Sequence, residues 1–191
     1  LYRSNLPAEA GAQAEQLWLV GKSRPDACDA LFSQWERSGG LTSTLRWQRA
    51  KLAAEAGQYG LASSLVRNQP SLAQPGKLLV DVAQKPQMLR NTGSFVPADR
   101  QMADIVGLGL RRLARQNPEQ ALDLLEIYGK RLPFSSEEKV AIARSIGLTF
   151  AKRFDARALK VMAQYDPELR DNTVSEWRAR LLLRLGRWND A

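Results

Sequence analysis

Residues 21–32, GKSRPDACDALF, contain the residue types of two reactive sites. Gly21-Lys22-Ser23 resembles the end of a phosphate-binding loop, which follows the pattern G-x-x-x-x-G-K-[ST]. The first glycine of that pattern would fall at position 16, where this chain has Gln16, and a helical pattern rather than a strand precedes it. The spacing therefore argues against a P-loop and favours a connection between two helices.

Cys28 is the only cysteine, so it is the second candidate for chemistry in this segment. A nucleophilic thiolate usually needs a neighbouring base, most often histidine, and the chain has no histidine. Pro25 is typical of a first helical turn, and a helix N-terminus is one feature that can activate a cysteine. A small buried residue or one half of a disulfide is nevertheless the favoured interpretation of Cys28.

Other reactive sites find little support in the sequence. Without histidine and with one cysteine, neither a Ser-His-Asp triad nor a typical metal site can be assembled, and we predict no cofactor. A glycosidase-like pair of carboxylates could be drawn only from glutamates on predicted solvent-facing positions. Those glutamates are Glu9, Glu15, Glu55, Glu126 and Glu137.

The charge of the chain points to an anionic partner. Lys and Arg number 28 against 20 Asp and Glu, a net charge of +8. Such a balance suits nucleic acid, an anionic membrane surface or an acidic polymer such as a cell-wall glycan. The longest apolar run, residues 105–110, is too short to cross a bilayer, so we predict no membrane span. The residues predicted to bind an anionic polymer are Arg46, Arg49, Arg111, Arg112, Arg115, Arg180, Arg184 and Arg187.

The elements that would position these arginines are helices. Apolar residues recur at spacings of three and four, and no segment alternates with period two for long enough to form a strand. The proline-containing segment 68–89 is expected to form short helices joined by kinks. The predicted helices cover residues 7–20, 25–37, 42–56, 98–116, 118–131, 136–153, 155–164 and 173–185.

A degenerate repeat organises these helices. A turn residue follows an apolar helix end at positions 21, 57, 116, 153 and 186, and an alanine follows five or six residues later. A tight turn joins two antiparallel helices, and the small alanine allows the second helix to pack closely on the first. A period near ~35 residues is that of tetratricopeptide-like hairpins. We therefore predict an all-α fold, an irregular α-solenoid (superhelix) of antiparallel helical hairpins.

The array is expected to continue beyond residues 1–191. The last repeat stops at Ala191, where its second helix should begin, and solenoid ends normally carry capping repeats. Trp177, Leu181 and Trp188 would then be exposed on the open end. We expect residues 1–191 to be part of one superhelical α-domain, truncated at its C-terminal end and also at its N-terminal end.

Residues 14–42, AEQLWLVGKSRPDACDALFSQWERSGGLT, closely resemble the N-terminal superhelical region of soluble lytic murein transglycosylases of Gram-negative bacteria. The match is carried by residues 17–19, 21–23, 27–29 and 31–32, together with Pro25 and Trp35. Segments at 100–103, 114–121 and 176–183 are similar to the same family. The resemblance covers most of the chain and is weakest over residues 68–98.

This resemblance implies a periplasmic enzyme with a ring of helical hairpins and a separate, lysozyme-like catalytic domain. That domain cleaves peptidoglycan to 1,6-anhydromuramic products, using one glutamate of an E-S motif that a G-L-M-Q motif follows. Neither motif occurs in this chain, so no catalytic residue is predicted and the catalytic domain is expected to be a partner outside it. The resemblance also implies that Cys28 pairs with a cysteine outside the chain.

The function that follows is a non-catalytic scaffold that supports the catalytic domain and binds or positions peptidoglycan. The alternative is an α-solenoid adaptor for a protein or RNA partner, since arginine clusters in a helical groove would suit RNA. The repeats lack a regular pair of base-reading side chains, which makes nucleic acid the less favoured partner.

Overall fold

The computed structural model describes residues 8–165, 167–168 and 171–190, and within these ranges every regular element is helical. The predicted all-α fold class is confirmed. The chain divides into two compact units, Leu1–Gln84 and Lys85–Ala191. In the first unit the α-helices are α1 (Ala8–Trp18), α2 (Asp29–Arg37), α3 (Ser43–Glu55), α4 (Tyr59–Val66) and α5 (Pro70–Gln84). In the second they are α6 (Arg100–Gln116), α7 (Pro118–Arg131), α8 (Ser136–Lys152), α9 (Arg157–Tyr165) and α10 (Asn172–Arg184).

In the first unit, α1 packs against α2, and α3 packs against both α4 and α5. Trp18 and Trp35 are buried in the aromatic cluster between the first two helices, with ring centroids 6.2 Å apart in an edge-on arrangement. The indole Nε1 of Trp18 donates a hydrogen bond to the Leu45 carbonyl at 3.1 Å. This bond gives the buried indole its polar partner and ties the end of α1 to α3.

Gly21 has a structural role in the connection that follows α1. A Cβ at this position would lie 2.5 Å from the carbonyl oxygen of Leu52 on α3, so any other residue would push the connection away from that helix. Gly21-Lys22-Ser23 precedes the 3-10 turn Asp26–Cys28 and α2, as a connection between helices should.

In the second unit, α6 is the central helix. It packs against α7, α8 and the 3-10 helix Pro86–Arg90, and all residues from Met102 to Leu110 are buried. Helices α9 and α10 pack against α8.

The N-terminus of α8 is held by a capping box that also reaches α6. Ser135 accepts a hydrogen bond from the Glu138 backbone N–H, and the Glu138 carboxylate accepts one from the Ser135 N–H. The same carboxylate pairs with Arg100, whose Nη1 lies 2.7 Å from Oε2. Hydrogen bonding to Glu138 raises the pKa of Arg100, with a further contribution from the charge of Asp104. One glutamate therefore caps its own helix and anchors it to its neighbour.

The repeated alanines lie where two helices cross. Ala62, Ala121 and Ala158 are at most 1% exposed in the α3–α4, α6–α7 and α8–α9 pairs. Ala27, the counterpart after Gly21, is exposed, and Ala191 lies outside the described residues. The small-residue prediction is confirmed for three of the hairpins.

The turn residues needed one correction. Gly57 and Gly186 have φ values of 77° and 72°, the left-handed conformation that commonly ends a helix. After α8 this conformation belongs to Phe154, with φ 56°, and not to the predicted Arg153. Arg153 is still the helical C-cap residue, so the repeat alignment was displaced by one residue at this turn.

Two further expectations were only partly met. Residues 70–84 form one helix that contains Pro75, so the chain departs from the α-helix only after Gln84, at the 3-10 helix that begins with Pro86. At the other end, Leu181 of α10 is fully buried, contrary to its expected exposure, whereas Trp177 is half-buried and Trp188 is 70% exposed.

We predict that Gly76→Ala destabilises the first unit by about 1–3 kcal/mol. A Cβ on Gly76 would lie 2.2 Å from Cγ2 of Val66, and a β-branched side chain on a helix cannot rotate away freely. Urea unfolding followed by far-UV circular dichroism measures the change.

Gly60→Ala in the neighbouring helix α4 is the matched control, because a Cβ there would have no atom within 4 Å. This variant should be as stable as the parent or slightly more stable. In the Gly76→Ala/Val66→Ala double variant the clash is absent, so its destabilisation should be smaller than the sum of the two single changes. Strict additivity would contradict the proposed contact.

We predict that Tyr128→Phe destabilises the second unit by about 1–2 kcal/mol, because it leaves the buried carbonyl of Leu89 without its donor. The Tyr128 hydroxyl is fully buried and donates to that carbonyl at 2.8 Å. Tyr165→Phe is the control, since no described residue accepts a hydrogen bond from the half-buried Tyr165 hydroxyl.

We also predict that deprotonation of Tyr128 destabilises the protein at alkaline pH. Burial raises the pKa of Tyr128 from 10.0 to about 12, with a smaller opposing effect of Arg131. The folded state disfavours the phenolate form of Tyr128. The contribution of the neutral hydroxyl to stability is therefore complete below pH 10 and is lost as the pH rises through about 12. Urea midpoints measured from pH 9 to 12 should fall less steeply in Tyr128→Phe than in the parent, and equal slopes would contradict this assignment.

Candidate functional site

Cys28 is a half-buried free thiol at the end of the 3-10 turn before α2. It packs against the aromatic cluster that includes Trp18 and Phe32. This environment agrees with the interpretation of Cys28 as a small packing residue. Its predicted pairing with a cysteine outside the chain remains a prediction.

The described residues contain no cluster of three or more His, Cys, Asp or Glu side chains that could hold a metal ion. Glu15, Glu55, Glu126 and Glu137 are all exposed, as predicted, and the side chain of Glu9 lies outside the described part of the chain. In that same part, no helix is long and apolar enough to cross a membrane.

Of the eight predicted arginines, Arg46 and Arg49 lie on α3, and they do not form an open surface. Arg46 pairs with Glu36, and its side chain is only 13% exposed. Arg49 is 4% exposed and stacks over Trp18, with its Cζ atom 4.2 Å from the ring centroid. Burial therefore removes Arg49 from the surface on which it was expected to meet a polymer.

The second cluster, Arg111, Arg112 and Arg115, lies near the C-terminal end of α6. Arg111 and Arg112 are half-buried and both interact with neighbouring groups, whereas Arg115 is exposed. Only Arg115 of this cluster therefore presents a largely solvated guanidinium.

The third cluster is Arg180 and Arg184 on α10 and Arg187 in the turn that follows. All three arginines are exposed. Arg180 pairs with Glu176 at 2.5 Å, and Arg187 pairs with Asp190 at 2.6 Å. Arg184 stacks over Phe154, 5.1 Å from its ring centroid, and forms no ion pair with a described residue. Surface ion pairs of this kind contribute only about 0–1 kcal/mol, so an anionic polymer could replace the acidic partners.

Arg49 is energetically the least usual of these arginines. Its Nε has no hydrogen-bond partner, and an Nη donates only a long bond, 3.4 Å, to the Lys22 carbonyl. Burial lowers the pKa of Arg49, and the nearby charge of Arg24 lowers it further. Stacking on an aromatic face returns about 2 kcal/mol when desolvated, while burying an unpaired ion costs several kcal/mol.

A cavity of about 380 Å³ opens beside this guanidinium within the first unit. Its walls combine aromatic and aliphatic side chains with two serines, two arginines and two carboxylates. They are formed by Trp18, Ser23, Arg24, Asp29, Phe32, Ser33, Glu36, Leu41, Arg49, Leu61 and Leu65.

The structure places the Arg49 guanidinium against the rings of Trp18 and Phe32. The true partners are 31 and 17 residues away in the sequence, and no local pattern indicates such contacts.

The chain is similar to soluble lytic transglycosylases over most of its length. A solved structure of an inactive mutant of the lytic transglycosylase Slt from Pseudomonas aeruginosa is 62% identical, with a TM-score of 0.93 over 96% of this chain and 30% of that chain. The soluble lytic murein transglycosylase of Escherichia coli K12 is 36% identical over 118 residues, which cover 59% of this chain and 18% of the relative. This chain therefore spans less than a third of each of these proteins.

The 70-kDa soluble lytic transglycosylase SLT70 from Escherichia coli shares the fold at 22% identity, with a TM-score of 0.55 over 96% of this chain and 35% of that chain. A sequence model described as cucumovirus coat protein also matches, over residues 6–94. That match ends before the middle of the chain, whereas the Slt similarity covers 96% of it at 62% identity. By sequence and by fold, the chain is homologous to a part of the soluble lytic murein transglycosylases.

Proposed function

We propose that this chain is a non-catalytic helical scaffold of a periplasmic lytic transglycosylase that acts on peptidoglycan. In this proposal a separate catalytic domain cleaves the glycan to 1,6-anhydromuramic products, and the scaffold supports that domain. The observation that carries the proposal is the 62% identity to Slt over 96% of the chain.

The side chains of the described residues fit a supporting role. The described carboxylates considered for acid–base catalysis are exposed to solvent, whereas a general acid is typically held in a pocket that excludes water. Glu137 is an example, since a hydrogen bond from Ser135 lowers its pKa. A general acid at neutral pH needs the opposite shift.

We further propose that exposed arginines hold peptidoglycan near the catalytic domain. The net charge of +8 would attract a polymer that carries carboxylates. Arg115 and Arg184 are the best candidates among the predicted residues, because both are exposed and neither forms an ion pair with a described residue. Arg180 and Arg187 would first have to release an acidic neighbour.

We predict that insoluble peptidoglycan retains this chain at low salt and that moderate salt weakens the retention, because exposed charges are screened. Arg115→Gln/Arg184→Gln should lower the bound fraction several-fold in a pull-down assay. Lys77→Gln/Lys160→Gln removes the same charge from two other exposed positions and is the matched control. If both variants lose the same bound fraction, binding depends on net charge and not on Arg115 and Arg184. If peptidoglycan does not retain the chain at low salt, the proposed peptidoglycan binding is wrong.

We also predict that the chain releases no soluble anhydromuramic fragments from peptidoglycan, because the proposed catalytic glutamate belongs to another domain. Mass spectrometry of the supernatant after prolonged incubation measures release, with an active lytic transglycosylase as the positive control. Release above a protein-free blank would contradict the scaffold role. A gel shift with random RNA tests the adaptor alternative, which tighter binding to RNA than to peptidoglycan would support.

A further inference from the structure

The cavity beside Arg49 has the size of a small-molecule site. Its volume of about 380 Å³ falls within the range of ligand pockets, roughly 300–1,000 Å³. Leu41, Leu61 and Leu65 supply apolar wall, and Arg49 supplies a buried charge. The accessible lining as a whole is more polar than apolar, which suits a ligand that carries a charge.

The positive charge in this cavity has no acidic partner within the part of the chain that the structure describes. Arg49 is 96% buried, since its exposed fraction is 4%. Its Nε makes no hydrogen bond, and the carboxylate of Glu36 in the same wall is held by Arg46. Buried charges in proteins are normally paired, so this site lacks an anion.

Arg24 brings a second positive charge to this cavity. It lines the same cavity, and its charge lowers the pKa of Arg49, as expected of two guanidinium groups close together. The Nε of Arg24 is already engaged by the Leu17 carbonyl at 2.8 Å, which fixes the side chain without neutralising it. A single anion in the cavity would lie near both positive charges.

The composition of the wall selects the kind of anion. A planar guanidinium matches the geometry of a carboxylate, and the leucines favour an organic ligand over an inorganic ion. Asp29 and Glu36 in the wall oppose a ligand with two or more negative charges. We propose that this cavity binds a small organic monocarboxylate, with its carboxylate against Arg49 and its apolar part against the leucines.

This site does not depend on the proposed function, because it involves only side chains of residues 18–65. Peptidoglycan retention and binding in the cavity can therefore fail separately. The ring of Trp18, 4.2 Å from the Arg49 guanidinium, provides a spectroscopic probe of the cavity.

The test is titration of the 191-residue chain with hexanoate and with N-acetyl-alanyl-alanine, each compared with its neutral amide. The two acids distinguish a free organic acid from the C-terminal end of a peptide. We expect at least one acid to raise the melting temperature and change tryptophan fluorescence at concentrations up to about 10 mM, a range suited to weak single-site binding. Its amide should bind at least about tenfold more weakly, because it lacks the charge that Arg49 would pair with.

Three variants locate the binding. Arg49→Gln should abolish the response to the acid, and Arg67→Gln, at an exposed position of the same unit, should leave it unchanged. Because Arg49→Gln alters a buried residue, Ser33→Phe provides a second route. Ser33 is exposed and lines the cavity, so the ring would obstruct the space without disturbing the core.

Loss of binding in Ser33→Phe together with acid-over-amide selectivity would support the proposal. An equal response to acid and amide, an equal response to sodium sulfate at matched ionic strength, or no response to either acid would overturn it.

Discussion

Close contact between the two helices of each hairpin is the constraint on which this structure depends. Two helices can approach closely only where their facing side chains are short, and Ala62, Ala121 and Ala158 lie at such positions with essentially no exposed surface. A glycine allows the same close approach between α8 and α9, because a Cβ on Gly147 would lie only 3.3 Å from Cγ of Met162. The apolar faces are thereby closed against each other, and most charged residues remain on the outside of the pairs, with Arg49 and Asp104 as buried exceptions.

Arg100 and Arg49 show how differently a packed helical structure treats the same side chain. Arg100 lies against Glu138 and Asp104, and its pKa is raised because the charged form is paired. Arg49 lies against aromatic rings, and its pKa is lowered because burial is not offset by an acid. The first arrangement connects two helices, whereas the second leaves an attractive position for an external anion.

The similarity to soluble lytic transglycosylases and the described side chains both support the proposed scaffold role. The chain spans 30% of the Slt structure that it matches, and its described carboxylates are mostly exposed or engaged in caps and ion pairs. The aromatic cluster around Trp18 and the buried helix α6 give the two units their cores. Such an architecture suits a protein region that holds and presents other groups.

The sequence by itself determined the all-α class, most helix bounds and the alanines of three hairpins. These features depend on neighbours within about one or two helical turns, so spacing along the chain is sufficient to predict them. Only the tertiary structure decided that Phe154 adopts the left-handed conformation after α8, that residues 70–84 form one helix and that Arg49 is buried. The contact of Arg49 with Trp18 joins residues 31 positions apart, and the exposure of each arginine depends on which helix packs against its own. A periodic pattern identifies the apolar face of a helix, but the neighbour that covers the rest of its surface is set by packing between distant segments.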